Sequence, residues 1–352
     1  MSTVYLNGRF VDERRAVVST LDRGFLYGDG LFETMRAYGA RVFRLDEHLA
    51  RLAKSAKALR IPFTLDAREI ESAIAKLLRF NVAQPPSGES SSYVAHPLAP
   101  TEERPSGVTS SYVAHPPSGV TSSLRAQARA PVPHQQHEQK DTPEGGCATS
   151  AYVRITLTRG IHAGDLGLDT GAPPTLVIHA REFHGYPKTL YRRGMKVALA
   201  DSVRPSRSLV GRHKTLSYIE NLLARDVARK ARCSETLFLD ERGFVAECSA
   251  SNIFFVRQGA LFTPAASMNI LPGITRAVVM ELARASGVQV EEGCRPLADV
   301  QRADEVFLTN SLMELMPVRE LAGAKIGRTV PGALTRRLLD EYRRQVRKEC
   351  VS

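Results

Sequence analysis

The sequence predicts an α/β (α+β) protein of two domains. Alternating apolar and polar residues indicate β-strands in both halves of the chain, and apolar residues at helical spacing indicate α-helices between them. A polar stretch that contains glycine and proline separates the two halves. Strands and helices mixed in this way within each half are typical of a two-domain α+β protein.

The expected domain boundaries follow from changes in composition. We predict a smaller N-terminal domain at residues 1–181, a linker at 182–190 and a larger C-terminal domain at 191–352. Residues 82–150 interrupt the first domain with a segment rich in Pro, Ser and Gly, in which SSYVAHP occurs twice. Because short polar repeats cannot bury a core, we interpret this segment as a disordered low-complexity insertion.

The N-terminal half predicts a hairpin, further strands and two helices. Asn7 and Gly8 mark the turn of the hairpin, and the glycine-punctuated stretch 21–45 predicts two more strands. Asp46 is expected to cap the helix that contains HLARL, and a second helix ends where the insertion begins. After the insertion, AYVRITLTRG and PTLVIHA predict two strands of the same sheet.

The C-terminal half predicts strands and helices in alternation. In chain order the predicted elements are strand MKVALA, helix LSYIENLLARDVARKA, hairpin TLFLDERGFVAE, strand SNIFFVRQGALFTP, helix GITRAVVMELARASG, strand VQVEEGC, a short helix, strand EVFLTN and a basic C-terminal helix. In the helix LSYIENLLARDVARKA, Ile219, Leu222, Leu223 and Val227 form the apolar side.

Composition and charge exclude several classes of protein. No stretch approaches the roughly 18 uninterrupted apolar residues of a membrane helix, and the N-terminus lacks the layout of a signal peptide. The five cysteines are scattered, so we expect no disulfide scaffold, no metal site and a cytoplasmic location. The formal charge of +11 predicts a basic solvent-exposed face, with attraction of anionic substrates as a second use and nucleic-acid binding as a weaker third.

Lys214 is the first candidate for chemistry. It precedes the helix of HKTLSYIENLLA, an end of a helix that disfavours cations. A lysine whose pKa is lowered suits Schiff-base chemistry, although an ordinary surface lysine would give the same sequence. Tyr218 follows one turn later and can share the same face.

Two more motifs point to the same chemistry. Glu247 lies in the apolar strand FVAECSASNIFFV, as either a satisfied core acid or the partner of a cation such as a pyridinium. In LPGITR, the amides of Ile274 and Thr275 and the Thr275 hydroxyl suit a phosphate at a helix N-terminus, and a plain helix cap is the alternative. A lysine, a strand carboxylate and a phosphate site are together what pyridoxal 5′-phosphate requires.

With these motifs, the chain resembles the fold-type IV pyridoxal-phosphate enzymes, which include branched-chain and D-amino-acid aminotransferases and 4-amino-4-deoxychorismate lyases. The motifs GDGLFET, HLARL, HKTLSY, ECSASNIFFV, LPGITR and LTNSLMELMPV occur in the family's order. The resemblance covers essentially everything except residues 82–150, and it implies the two-domain fold of that family and pyridoxal 5′-phosphate as cofactor.

The resemblance also implies a role for individual residues. Lys214 is the catalytic lysine that carries the cofactor as a Schiff base, Glu247 pairs with the pyridine nitrogen, and Tyr218 binds the ring phenolate oxygen. The residues expected at the cofactor phosphate are Arg51, Ile274, Thr275 and Ser311. The residues expected on the substrate side are Arg36, Tyr152 and Arg154.

The same catalytic residues serve a lyase and an aminotransferase, so the choice rests on the pocket. FLTNSLMELMPV, LTRG and the short chain outside the insertion favour aminodeoxychorismate lyase, which releases pyruvate and forms 4-aminobenzoate. Tyr152-Val-Arg154 instead favours branched-chain aminotransferases, and the alternative to the lyase is an aminotransferase of branched-chain or D-amino acids. From the sequence we predict the lyase, with the aminotransferase as the alternative.

The partners follow from the same resemblance. It implies a small-molecule amino substrate and a homodimer, with neither a membrane nor a nucleic acid as partner. A remote alternative is a non-catalytic, basic nucleic-acid-binding protein, which predicts lost cofactor residues and aromatics interleaved in a basic stripe. Lys214, Tyr218 and Glu247 are all present, and the basic C-terminal helix has one aromatic, Tyr342.

Overall fold

The computed structural model describes residues 2–64, 66–82, 150–161, 164, 166–169 and 171–351. Apart from its end residues Val82 and Ser150, the predicted insertion lies outside the described residues. The strands are β1 Thr3–Leu6, β2 Arg9–Asp12, β3 Gly30–Tyr38, β4 Arg41–Val42, β5 Ser150–Thr158, β6 Thr175–Glu182, β7 Met195–Leu199, β8 Glu235–Leu239, β9 Val245–Cys248, β10 Asn252–Arg257, β11 Ala260–Pro264, β12 Val290–Gly293, β13 Glu305–Asn310, β14 Glu314–Leu321 and β15 Ala324–Lys325. The α-helices are α1 Arg23–Tyr27, α2 Leu45–Ala58, α3 Ala67–Asn81, α4 Lys188–Arg193, α5 Ile219–Lys230, α6 Ile274–Ala285, α7 Leu297–Gln301 and α8 Ala333–Cys350.

The N-terminal strands form a six-stranded antiparallel sheet in the order β2-β1-β6-β5-β3-β4. One face of this sheet packs on α2 and α3, whose Leu52, Ile74 and Leu77 are buried with Val153 and Ile155 of the central strand. The strongly apolar stripe of each helix is therefore explained by this one contact with the sheet.

The C-terminal strands form a nine-stranded mixed sheet in the order β12-β11-β10-β13-β14-β7-β8-β9, with β15 added to β14. Successive residues of β10 enter different clusters: Ile253 and Phe255 pack in one, Phe254 and Val256 in the other. Because side chains alternate along a strand, both faces of this sheet are covered. Helices α6 and α8 cover the second face.

The structure differs from the sequence prediction at several elements. Residues 23–27 of the stretch predicted as strands form helix α1, since Asp22 caps them by accepting a hydrogen bond from Gly24 N. Asp46 lies in the first turn of α2 rather than at its cap. The segment predicted as one strand from Ser251 is the hairpin of β10 and β11, and β14 was not predicted.

Helix α5 departs most clearly from the expected burial. Ile219, Leu222 and Leu223 of its apolar side are exposed, whereas Asn221 and Ala224 face the protein. A helix that turns its aliphatic side outward leaves apolar surface available for another partner.

The chain before α5 joins the two sheets. Phe32 N donates to Lys214 O at 2.8 Å, and Leu216 N donates to Gly30 O at 2.9 Å. This pairing fixes the main chain of residues 214–216 along the first residues of β3. Lys214 is thus held by strand-like pairing, five residues before the helix that the sequence predicted it to adjoin.

Two other predictions concern membrane-spanning helices and the division of the chain into domains. In the described ranges, no helix is long and apolar enough to cross a membrane. The predicted division at residues 182–190 stays a prediction, with β6 ending at Glu182 and α4 beginning at Lys188.

We expect Gly30→Ala to lower the free energy of unfolding by about 1–3 kcal/mol. A Cβ at Gly30 would lie 2.5 Å from Leu157 O and 2.7 Å from Leu216 Cδ1, so the junction with residues 214–216 would have to shift. The matched control is Gly293→Ala, because a Cβ there meets nothing within 4 Å. Urea unfolding monitored by circular dichroism measures both, and equal effects of the two substitutions would contradict this account.

Candidate active site

A cavity of about 620 Å³ opens where the two sheets meet. It brings together nine of the ten residues that the sequence singled out. They are Arg51, Tyr152, Arg154, Lys214, Tyr218, Glu247, Ile274, Thr275 and Ser311. Residues separated by more than 200 positions in sequence therefore meet in one site.

Lys214 lies at the wall of this cavity on the paired segment described above. Burial lowers its pKa from 10.5 to about 8, and the positive charges of Arg51 and Arg154 act in the same direction. Glu33 and Glu247 oppose this effect. A lysine with such a pKa is partly uncharged near neutral pH, which a nucleophilic amine requires.

The ring of Phe32 stands between the main groups of the cavity. Lys214 Nζ lies 4.4 Å from the ring centroid and the Arg154 guanidinium carbon lies 4.0 Å from it. Tyr218 meets the same ring edge-on, with centroids 5.4 Å apart. An aromatic ring attracts cations, so Phe32 fixes the positions of both basic groups around one surface.

Glu247 is a buried carboxylate at the cavity. Its Oε2 accepts a hydrogen bond from Leu271 N at 3.0 Å, and its Oε1 lies 3.7 Å from Arg204 Nη2. Burial raises the pKa of Glu247, while Arg204 and the Leu271 amide oppose this rise. A cationic group placed beside this carboxylate would favour its ionised form further.

Arg51 is held in place by a buried acid that the sequence analysis did not identify. Its Nε and Nη2 donate to the two oxygens of Glu33 at 2.8 and 2.6 Å, and its Nη1 donates to Pro272 O at 2.8 Å. Although burial opposes it, Arg51 together with His48 lowers the pKa of Glu33 to about 2. Because ionised Glu33 only accepts hydrogen bonds, the 2.8 Å contact with His48 places a proton on Nδ1 of that histidine.

Further polar groups line the same cavity as Arg51. Helix α6 begins at Ile274 and no side chain of the described residues caps it, so its first amides remain available to an anion. Thr309 Oγ1 is buried and has no hydrogen-bond partner among the described residues. With Arg51 and the Ser311 hydroxyl, this set of donors fits a phosphate.

Arg36 is the one predicted site residue that the cavity does not include. Its Nε donates to Ser150 Oγ at 2.7 Å, and its Nη1 donates to Leu312 O at 3.1 Å and to Glu314 Oε1 at 3.2 Å. The guanidinium also lies 4.6 Å from the centroid of the Tyr38 ring. In this arrangement Arg36 fixes the turn that follows Ser311, and its role toward substrate stays a prediction.

Six residues that support these groups were not predicted from the sequence. They are Phe32, Glu33, His48, Arg204, Asn221 and Thr309. For Glu33 a signal existed, because an acid within the apolar strand GLFETM needs a buried partner. The others belong to no recognisable spacing, since their partners come from distant parts of the chain.

A comparison with protein families identifies this arrangement. The model of amino-transferase class IV matches residues 30–138 and 121–321. The chain belongs to the class IV aminotransferase family. The resemblance and the mixed fold predicted from the sequence are thereby confirmed.

Individual relatives of this class IV protein carry different activities. A putative branched-chain-amino-acid aminotransferase of Methanocaldococcus jannaschii is 34% identical over 97% of this chain and 95% of its own. The aminodeoxychorismate lyase of Bacillus subtilis is 27% identical over 98% of this chain and 94% of its own. Among solved structures, a branched-chain amino acid aminotransferase from Thermoproteus uzoniensis with norvaline is 26% identical, with a TM-score of 0.71 over 98% of this chain and 94% of its own.

These findings establish a pyridoxal-phosphate-dependent enzyme, since solved structures of similar fold hold pyridoxal or pyridoxamine phosphate. The cavity fits the cofactor at three separate points: Lys214 has a lowered pKa, Glu247 is a buried carboxylate, and Thr309, which lines the cavity as Arg51 does, has a hydroxyl without a partner in the part of the chain that the structure describes. The prediction of this cofactor from the sequence is confirmed.

We expect the stability of the cofactor-free protein to depend on pH through Lys214. Between pH 8 and 10.5, the lysine keeps a proton in the unfolded chain that it has lost in the folded protein. The free energy of unfolding should therefore rise with pH in this window, by at most about 3 kcal/mol. Urea unfolding of wild type and Lys214→Met at several pH values measures this effect. Lys214→Met should be more stable than wild type at the lower pH values, and this advantage should shrink as pH rises. Parallel curves of the free energy of unfolding against pH would exclude the effect.

Proposed function

We propose that this class IV enzyme is an aminotransferase that acts on branched-chain amino acids. The observation that carries the proposal is the position of Tyr152 and Arg154 on one face of β5 at the cavity that also contains Lys214. Residues two apart on a strand point to the same side, so a phenol and a guanidinium are offered to one ligand. An amino acid brings a carboxylate that such a pair can bind.

The cavity also provides apolar surface for an aliphatic side chain. Phe32, Val210, Leu216 and Leu222 contribute to its lining, beside the charged groups. A site with an apolar wall and a few placed polar groups selects its substrate by shape and by one charge pair. The identity to the M. jannaschii protein, 34%, supports the same assignment.

The residues at the cavity each have a defined task in this proposal. Bound pyridoxal 5′-phosphate supplies an electron sink that weakens the bond to the α-hydrogen of the amino substrate. Lys214 Nζ, partly uncharged near neutral pH, can take the proton from the substrate α-carbon. Glu247 would hold a proton at the pyridine nitrogen through its negative charge.

The remaining residues would bind the cofactor. Arg51, oriented by Glu33, and the first amides of α6, those of Ile274 and Thr275, would hold the phosphate, together with Ser311. Tyr218 would donate its phenol proton to the ring oxygen. These groups bind and orient without taking part in proton transfer.

Aminodeoxychorismate lyase is the second candidate. The 27% identity to the B. subtilis lyase and the segment FLTNSLMELMPV support it. Leu312 N and Met313 N both donate to Asn310 Oδ1, at 3.0 and 2.8 Å, so the turn after Ser311 is closed by its own asparagine. This local structure shapes the cavity wall, and a pocket of different shape selects a different substrate.

The deciding experiment supplies the cofactor-loaded protein with L-leucine, D-alanine or aminodeoxychorismate. We expect L-leucine with a keto-acid acceptor to give the branched keto acid, and Arg154→Gln to reduce kcat/KM by roughly 10–100-fold through the lost carboxylate contact. The control is Arg257→Gln, an exposed arginine of β10 outside the cavity lining. Formation of pyruvate and 4-aminobenzoate without transamination of leucine would replace the proposal by the lyase, and turnover of D-alanine alone would make it a D-amino-acid aminotransferase.

We also propose that the chain forms a homodimer through an apolar patch, which we call the α1–α5 patch. Its members are Phe25, Leu26, Tyr27, Leu166, Leu168, Ile219, Leu222 and Leu223. Ser217 Oγ donates to Gly28 O at 3.3 Å and Arg23 Nη1 donates to Gly167 O at 3.0 Å, so these segments lie side by side. Phe25 is 74% exposed and Leu166 is 75% exposed. Contiguous exposed apolar residues, unlike isolated ones, mark an interaction surface.

The patch also adjoins the cavity, because Leu222 belongs to both. A second copy seated there would cover one side of the cavity and exclude water from it. A second copy of the same chain, bound at this patch, explains why the aliphatic side of α5 faces outward.

We expect wild type to sediment as a dimer and Leu223→Asp to sediment as a monomer, because a charge buried in an apolar interface has no partner. Val351→Asp is the control, since Val351 is exposed at the end of α8 and outside the patch. Analytical ultracentrifugation separates the two states of the 38.7 kDa chain. A monomeric wild type, or a dimer that persists in Leu223→Asp, would contradict the proposed interface.

A further inference from the structure

The carbonyl oxygen of Ser249 receives two hydrogen bonds from the start of α5. Tyr218 Oη donates to it at 2.8 Å and Asn221 Nδ2 donates to it at 2.6 Å. Asn221 is buried, and both donors line the cavity together with Ser249. A carbonyl oxygen has two lone pairs, so this acceptor is fully used.

Ser249, the residue that carries this carbonyl, is fixed by hydrogen bonds of its hydroxyl and its amide. Glu235 is completely buried, and its Oε1 accepts hydrogen bonds from the Ser249 hydroxyl and, at 3.0 Å, from Thr236 N. Ser249 N donates to Thr236 O at 3.0 Å. Held at its side chain and at its amide, Ser249 cannot follow a donor that moves away.

Tyr218 has a single proton to donate. In the structure that proton goes to Ser249, whereas binding of the cofactor ring oxygen requires it to turn into the cavity. Turning it away removes one hydrogen bond from a carbonyl that cannot move. A buried carbonyl left without any donor is costly, so the ease of this change depends on whether a second donor remains.

We propose that Asn221 is a positioning residue that keeps the Ser249 carbonyl satisfied while the Tyr218 phenol turns its proton to the cofactor. The inference rests on the role of Tyr218 under the proposed function, but it concerns cofactor binding and is independent of the substrate. Glu235 contributes by fixing the carbonyl, and Phe32 holds the tyrosine ring edge-on so that only the hydroxyl proton has to change its direction.

This arrangement predicts how the effect of Asn221 on the free energy of cofactor binding depends on the Tyr218 hydroxyl. With Asn221 present, the carbonyl has two donors before the change and keeps the Asn221 donor after it, so the phenol proton is exchanged between two acceptors. Without Asn221, the phenol would be the sole donor to this buried carbonyl among the described residues, and the cofactor would have to compete with the carbonyl for its proton. The effect of Asn221 must therefore disappear when the phenol hydroxyl is absent.

The test is a double-mutant cycle of Asn221→Leu and Tyr218→Phe. The cofactor-free proteins are titrated with pyridoxal 5′-phosphate, and visible absorbance gives the dissociation constant and the pH midpoint of the bound cofactor. We expect Asn221→Leu to weaken binding about tenfold, the size of one hydrogen bond to a buried group, and to shift the pH midpoint. In the Tyr218→Phe background the same substitution should change the dissociation constant less than about twofold.

Leucine has the size of asparagine without its donor, and Asn221→Ala serves as a second variant if Leu perturbs folding. Asp226→Asn is the control on the same helix, because its exposed carboxylate pairs with Arg229 and Lys230 away from the cavity. Equal weakening by Asn221→Leu in both backgrounds would assign Asn221 a merely structural role, and unchanged affinity in the tyrosine background would also overturn the inference. Failure of transamination with intact cofactor binding would affect the proposed function alone.

Discussion

The site depends on the pairing of residues 214–216 with the first residues of β3. This pairing places the Lys214 side chain against Phe32 of the first sheet, and it fixes the backbone that carries Lys214. The lowered pKa follows, because the amine is then surrounded by protein and by Arg51 and Arg154. Position and reactivity of the lysine therefore have one structural cause.

A second constraint is the excess of positive charge around the cavity. Arg51 and Arg204 each lie beside one buried carboxylate, Glu33 and Glu247 respectively. These pairs reduce the charge at their own positions, while Lys214 and Arg154 add further positive charge to the same cavity, which suits a cofactor phosphate and a substrate carboxylate. The attraction of anionic substrates that the net charge predicted thus has a local counterpart in the positive charge of this cavity.

The sequence predicted most of the fold because its helices and strands are locally consistent. The predicted strand AYVRITLTRG and the predicted basic C-terminal helix correspond to β5 and α8. Helix α1 was missed because five residues of RGFLY carry no periodicity, and its formation depends on the cap by Asp22. Prediction from sequence succeeds where the residues of one element set the pattern, and it fails where a turn or a helix cap sets the structure.

The same distinction applies to the candidate site. Lys214, Glu247 and the LPGITR segment could be singled out from the sequence because each motif carries its chemistry within a few residues. Glu33, His48 and Asn221 instead act through partners that only the fold brings near.

Helix α5 shows why the outcome for a helix cannot be read from its amphipathic pattern alone. Its aliphatic side was expected to face the core, yet Asn221 faces inward to satisfy the Ser249 carbonyl, and Leu223 faces solvent. The side with Asn221, Ala224 and Ala228 occupies the interior, where the small alanines allow close packing and Asn221 supplies a donor to a buried carbonyl that would be costly to leave unsatisfied. In the proposed dimer a second protomer would bury the leucines, so the proposed cofactor binding and the proposed assembly would place opposite requirements on the two sides of one helix.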